Sequence, residues 1–150
     1  MNIMKPILFL FIVILSISCK SSREAKTKKQ HVKEMKTKKK AELGDINQAS
    51  DNINILNASI EGNTINLEVS YSGGCQPHEF NLVGSAMISK SMPPIRSVVL
   101  VHKANNDMCK KQIIETLRFD IRDFAYNQNE REIFLSIKGV ENRLLYRFKP

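Results

Sequence analysis

The chain has 150 residues, 42% of them hydrophobic, with only six glycines and five prolines. That is enough apolar material for one buried core and too little Gly and Pro for a low-complexity chain, and no internal repeat divides it. Lys and Arg outnumber Asp and Glu by 23 to 15, a formal charge of +8, which raises nucleic acid as a partner until the charges are placed along the chain.

The first element in chain order is a targeting segment. Lys5 precedes an unbroken apolar run, Ile7 to Leu15, and Ser16, Ile17, Ser18 and Cys19 follow. A basic start, a short apolar stretch and small residues before a cut describe a secretory signal over residues 1–18. The apolar stretch falls short of the ~20 residues that a bilayer-spanning helix needs. "LSISC" resembles the lipobox of bacterial lipoproteins, with Ser18 at the small position before the cysteine and Leu15 one place earlier than usual. The resemblance implies that Cys19 is diacylated, with chains such as palmitate, and becomes the mature N-terminus. An ordinary signal peptide followed by a chance cysteine is the alternative. The lipobox implies an extracytoplasmic protein held to a bacterial membrane, with the outer membrane the expected one. Two or more acyl chains make a stable anchor.

Residues 19–50 read as the lipidated N-terminus and a Lys-rich linker. Lys20 to Leu43 holds ten basic and three acidic residues, whereas Gly44 to Pro150 is balanced at twelve of each. The charge therefore belongs to the linker. Beside a lipid anchor such a block is drawn to anionic headgroups, or it serves as a self-repelling spacer. Its sizeable apolar residues are Val32, Met35 and Leu43, too few for a packed face, so a frayed helix or disorder is expected there. Export removes the protein from the chromosome, so nucleic acid is not an expected partner.

From residue 51 the pattern changes to period two. Ile53 and Ile55 begin an alternating run, "IEGNT" is a glycine turn, and "INLEVSY" places Ile65, Leu67, Val69 and Tyr71 on one face, a hairpin signature. Further strands are expected around Phe80 and Leu82, over Arg96–Lys103, and from Glu115 to Ile121. Arg122 to Asn129 is polar and reads as loop. The C-terminal hairpin bends at "GVEN", with Ile133, Leu135 and Ile137 inward and Leu144, Tyr146 and Phe148 continuing that face. About seven short strands and no helix pair predict an all-β domain over residues 51–150, an antiparallel sandwich or small barrel.

Two knots interrupt the strands, "GGCQPHEF" and "HKANNDMCK". In an oxidising compartment Cys75 and Cys109 are read first as a disulfide. Gly73 and Gly74 permit a sharp turn beside the sulfur. A second reading makes Cys75, His78, His102 and Cys109 a zinc or copper site, with Asp107 in reserve; no Cys-x-x-Cys occurs. A third pairs Cys75 as a nucleophile with His78 or His102, but no oxyanion-hole motif accompanies it. On the disulfide reading the histidine beside the bridge is an ordinary polar loop residue. No phosphate loop or serine elbow is present, and Asp120 and Asp123 each have an arginine neighbour, which reads as charge pairing.

Gly73, Gly74, Cys75, His78, Phe80 and Leu82, followed by Asp107 and Cys109 and then Leu117, Phe119 and Asp120, resemble a motif of small lipoproteins of flavobacteria and relatives. The resemblance covers about two-thirds of the domain and implies an envelope location without an assigned activity. A binding or structural role, not enzymatic, is therefore expected, with an envelope protein or ligand as partner. The alternatives are a metal-binding envelope module and an inhibitor of an envelope-acting hydrolase.

Overall fold

The computed structural model describes residues 38–125 and 131–150. The signal segment, Cys19 and the linker as far as Thr37 lie outside the described residues. Among those described, no helix is long and apolar enough to cross a membrane.

The fold is all-β. Its strands are β1 (Lys39–Lys40), β2 (Glu42–Gly44), β3 (Asn54–Glu61), β4 (Thr64–Gly73), β5 (Glu79–Ser89), β6 (Ile95–Lys103), β7 (Lys111–Asp120), β8 (Glu132–Ile137) and β9 (Leu144–Arg147), with a 3₁₀ turn at Arg122–Phe124. They form two sheets, a four-stranded one in the order β1-β7-β4-β3 and a five-stranded one in the order β2-β5-β6-β8-β9. The seven expected strands are all present. β7 starts at Lys111, before the expected Glu115.

The expected antiparallel arrangement requires correction, because β1–β7, β2–β5 and β6–β8 pair in parallel. Parallel neighbours need a crossover between them. Here the crossover from β6 to β8 is β7, a strand of the opposite sheet, so the chain returns to its first sheet running the same way.

The linker boundary also requires correction. Lys38 to Gly44, read from sequence as tether, is part of the fold. Lys39 and Lys40 pair with Phe119 and Asp120 of β7. The chain then passes through Ala41, which is fully buried, and Glu42 to Gly44 pair with Val83 to Ser85 of β5. One short segment thus changes sheets and closes an edge of the sandwich. The sequence hides this because the segment is held mainly through its backbone, which occupies the unpaired N–H and C=O groups that a sheet edge presents. Two of its lysines meet carboxylates of the domain, Lys38 at 3.1 Å from Asp120 and Lys40 at 2.9 Å from Asp123.

The core fills the space between the sheets. Ile65, Leu67, Val69, Leu117 and Phe119 come from one sheet, and Phe80, Leu82, Leu100, Leu135 and Tyr146 from the other. Strict alternation in β4 sends Ile65, Leu67, Val69 and Tyr71 inward, as the period-two pattern requires. The alternation fails in β3, where a register shift between Ile55 and Asn57 pushes Leu56 out to 54% exposure. Phe124 was hidden in a stretch read as polar loop. It is wholly buried, and the Arg96 guanidinium holds its turn, donating from Nε to the Phe124 carbonyl at 3.1 Å and from Nη1 to the Ser85 carbonyl. Arg96 is itself buried, and this desolvation pulls its pKa below the ordinary arginine value. At the far end Asn63 binds the C-terminal segment, accepting from the Tyr146 hydroxyl at 3.0 Å and the Lys149 N–H at 3.1 Å.

Two outcomes follow. Deleting Lys38–Gly44 should cost on the order of 3 kcal/mol, from several backbone hydrogen bonds at about 0.5–1.5 kcal/mol each and a reopened edge; urea unfolding of the truncated and intact chains reads this. Gly84→Ala should cost roughly 1–3 kcal/mol through overpacking, since a Cβ there would lie 2.7 Å from Phe124 and 3.0 Å from Arg96. A shift in the urea midpoint at unchanged m-value measures it.

Candidate functional site

The two knots meet at one end of the sandwich. β4 leads into the first and β5 leaves it, while β6 leads into the second and β7 leaves it. Because β4 pairs with β7 and β5 with β6, the two loops are forced together. Cys75 and Cys109 are joined by a disulfide with their Cα atoms 5.9 Å apart. Of the three sequence readings the staple is the one observed. The metal reading loses its two thiolates and the nucleophile reading its thiol, because both sulfurs are in the bridge. The Asp107 carboxylate lies within 4.8 Å of the two sulfurs.

Asp107 organises both loops. Its Oδ2 accepts the N–H groups of Gly74, Cys75 and Gln76 at 2.7, 2.9 and 3.0 Å, and its Oδ1 accepts that of Cys109 at 2.8 Å. Three successive N–H groups converging on one oxygen make an anion-binding nest, here filled by the protein's own carboxylate. The N–H groups of Cys109 and Gln76, and behind them that of Cys75, hold the Asp107 carboxyl well below the usual range. The glycine pair is needed for two different reasons. A Cβ on Gly73 would lie 2.5 Å from the His78 ring, whereas Gly74 takes φ +113°, a conformation that L side chains rarely adopt. Asn105 and Asn106, at φ 51° and 60°, turn the second loop, and Asn105 donates from Nδ2 to the Pro77 carbonyl at 2.8 Å, tying it to the first.

His78 is not the exposed loop residue that the disulfide reading expects, and His102, near the end of β6, is buried as well. The His78 side chain is only 3% exposed and His102 as a residue only 1%. His78 Nε2 lies 3.2 Å from Asp107 Oδ2, and His78 Nδ1 lies 2.7 Å from His102 Nε2. His102 Nδ1 faces the Asn52 carbonyl at 3.1 Å. The Phe80 ring stacks on His102, and Tyr71 packs against both histidines with ring centres 4.7 and 5.1 Å away. The Tyr71 hydroxyl donates to Glu115 at 2.6 Å. Burial first, and the Glu115 carboxylate second, raise the tyrosine far above its ordinary pKa. Asp120 and Asp123 lie elsewhere and are both charge-paired, Asp120 with the expected arginine neighbour and Asp123 with Lys40 of β1 instead. The Arg122 side chain donates to both oxygens of Asp120, whose carboxyl falls to about 2 chiefly through that contact.

A segment at the expected linker–domain boundary, Ser50 to Asn52, completes the site. The Asp51 N–H donates to the His102 carbonyl at 2.9 Å, the His102 N–H donates to Ser50 Oγ at 3.0 Å, and the Ala104 N–H donates to Asp51 Oδ2 at 2.6 Å. Ser50–Asn52 thereby straps the part of β6 that β8 leaves unpaired. Between this strap and the ends of β4 and β7 opens a cleft of about 570 Å³, lined by Asn52, Asn54, Ser70, Ser72, Lys110 and Gln112, among others, and reaching Tyr71 and His102. Its polar lining was not legible in advance, since scattered Ser, Asn and Gln carry no spacing signal.

No protein-family model and no curated protein matches the chain. Solved structures share its fold. A NigD-like immunity protein from Bacteroides caccae superposes with a TM-score of 0.52 at 14% identity, covering 73% of this chain and 58% of its own. A Bacteroides vulgatus protein of unknown function, DUF1344, superposes with a TM-score of 0.50 at 17% identity, covering 75% and 56%. The chain therefore spans a little over half the length of each neighbour. At these identities the likeness defines a shared β architecture.

Replacing Cys75 or Cys109 by Ser should cost about 2–5 kcal/mol, as loss of a native bridge does in small secreted domains. Thiol titration of the unfolded, unreduced domain should find neither Cys75 nor Cys109 reactive.

Proposed function

We propose that this is a lipid-anchored bacterial envelope protein whose β domain acts by binding. The observation that carries the binding role is the internal use of the site's reactive groups. Both thiols form the bridge, Asp107 is saturated by backbone N–H groups, and the two imidazoles face each other. A centre for nucleophilic or acid–base chemistry keeps such groups available to a substrate. Here they rigidify two loops and the wall of a cleft, which lowers the entropy cost of recognition. The partner class that fits is a protein acting at the envelope. The name of the Bacteroides caccae neighbour, an immunity protein, is in keeping with a chain that neutralises a protein by holding it.

The anchor rests on the apolar run that ends in Ser18 and Cys19. The basic residues after it would lie along anionic headgroups at about 1 kcal/mol per Lys or Arg near the surface. Lys38 and Lys40 are engaged with Asp120 and Asp123, so that attraction falls to the residues before them.

Intact mass of the membrane-extracted protein should correspond to a chain beginning at Cys19 with acyl groups attached, and Cys19→Ala should leave the precursor uncleaved. A soluble mature chain with an unmodified N-terminus would overturn the anchor.

A further inference from the structure

The bonds around His78 and His102 set a proton count. The chain of contacts runs from Asp107 Oδ2 to His78 Nε2, from His78 Nδ1 to His102 Nε2, and from His102 Nδ1 to the Asn52 carbonyl oxygen, at 3.2, 2.7 and 3.1 Å. Both ends are acceptors. A carbonyl has no hydrogen to give, and Asp107 is an ionised carboxylate inside a cage of N–H groups. Three hydrogen bonds need three hydrogens, and two neutral imidazoles bring two. We propose that the His78–His102 pair holds one proton more than two neutral rings, and that this proton latches the Cys75–Cys109 loops to the Ser50–Asn52 strap.

The surroundings agree with one extra proton. Burial first, and the adjoining His78 ring second, hold His102 below the ordinary histidine range, so it is the neutral member, donating from Nδ1 and accepting at Nε2. The third hydrogen then lies between His78 Nδ1 and His102 Nε2, on the side of the pair that faces the Asp107 carboxylate. The other groups facing the pair are Asp51 on the strap, the Tyr71 hydroxyl of β4 with its partner Glu115 of β7, and the apolar Phe80 ring of β5. None of them supplies a hydrogen to the chain. When the extra proton leaves, one of the three links becomes two facing acceptors and opens. The strap is then held only by its backbone bonds to His102, and these open more often once its connection to the disulfide loops is lost.

The sign of the pH dependence follows from counting protons in each state. Below about pH 6.5 the unfolded pair binds more than one proton and the folded pair one, so stability rises with pH. Above that value the unfolded pair binds fewer than one while the folded pair keeps one, so stability falls until the folded pair has lost its proton. The pair therefore contributes a stability maximum near the ordinary histidine pKa.

Nitrogen-15 NMR of the full chain labelled at histidine tests the latch, with His31 assigned through a His31→Gln variant. At about pH 7 one ring of the pair should show two protonated nitrogens and the other one. On raising the pH, loss of the second proton should coincide with faster exchange of the Asp51 N–H. The pH profile of the melting temperature should lose its maximum in His78→Gln. Two neutral rings at pH 7, two charged rings, or an Asp51 exchange rate indifferent to the titration would each overturn the proposal. The first two of these outcomes are read on the native chain and do not depend on the variant folding.

Discussion

One carboxylate holds the closed end of this sandwich together. Asp107 takes four backbone N–H groups from two loops and faces His78 as well. Loops at the end of a β domain have no ladder to satisfy their backbone N–H groups. Asp107 replaces the missing ladder. It also fixes Cys75 and Cys109 near each other, so the bridge closes loops that are already joined by hydrogen bonds. From this centre the contacts pass through His78 to His102, and through the backbone and ring of His102 to the strap at Ser50–Asn52.

The remaining architecture works by closing edges. Lys38 to Gly44 fills one edge of each sheet in succession, and Ser50–Asn52 covers the free half of β6. Asn63, in the β3–β4 turn, binds the C-terminal segment. Two sheets with few open edges make a rigid frame for a small cleft, and edge protection also guards a β protein against pairing with its neighbours. The segment nearest the proposed anchor is thus knitted into both sheets, so force or motion transmitted from a membrane would reach the core through backbone hydrogen bonds.

Much of the fold was legible because burial imposes period two on strands that face a single core. Ile65, Leu67 and Val69 announce β4, and Ile133, Leu135 and Ile137 announce β8, with no need of tertiary information. The disulfide was legible from the cysteine count together with the expectation of an oxidising compartment. What escaped was held by the backbone or by isolated side chains. β1 and β2 pair through main-chain groups, so "KKKAELG" reads as solvated charge. Phe124 is a lone aromatic in a polar stretch, and Arg96 sits in a β-branched run where a charged residue would ordinarily face water. His78 and His102 are 24 residues apart in sequence, and only the pairing of β5 with β6 brings their rings into contact. Sequence singled out both, but no spacing rule reveals a hydrogen bond between them.

The account places the burden of the site on Asp107, and hydrogen exchange at Gly74, Cys75 and Gln76 measures it most directly. These residues are exposed and lie outside any strand, so ordinary loop amides there would exchange almost freely. If their N–H groups are held on the Asp107 carboxylate, they should be protected to an extent approaching that of the β4 and β7 amides, and Asp107→Asn should remove the protection while the β8–β9 amides keep theirs. Free exchange at all three positions in the native chain would contradict the account, because the Asp107 carboxylate would then not be what joins the loops.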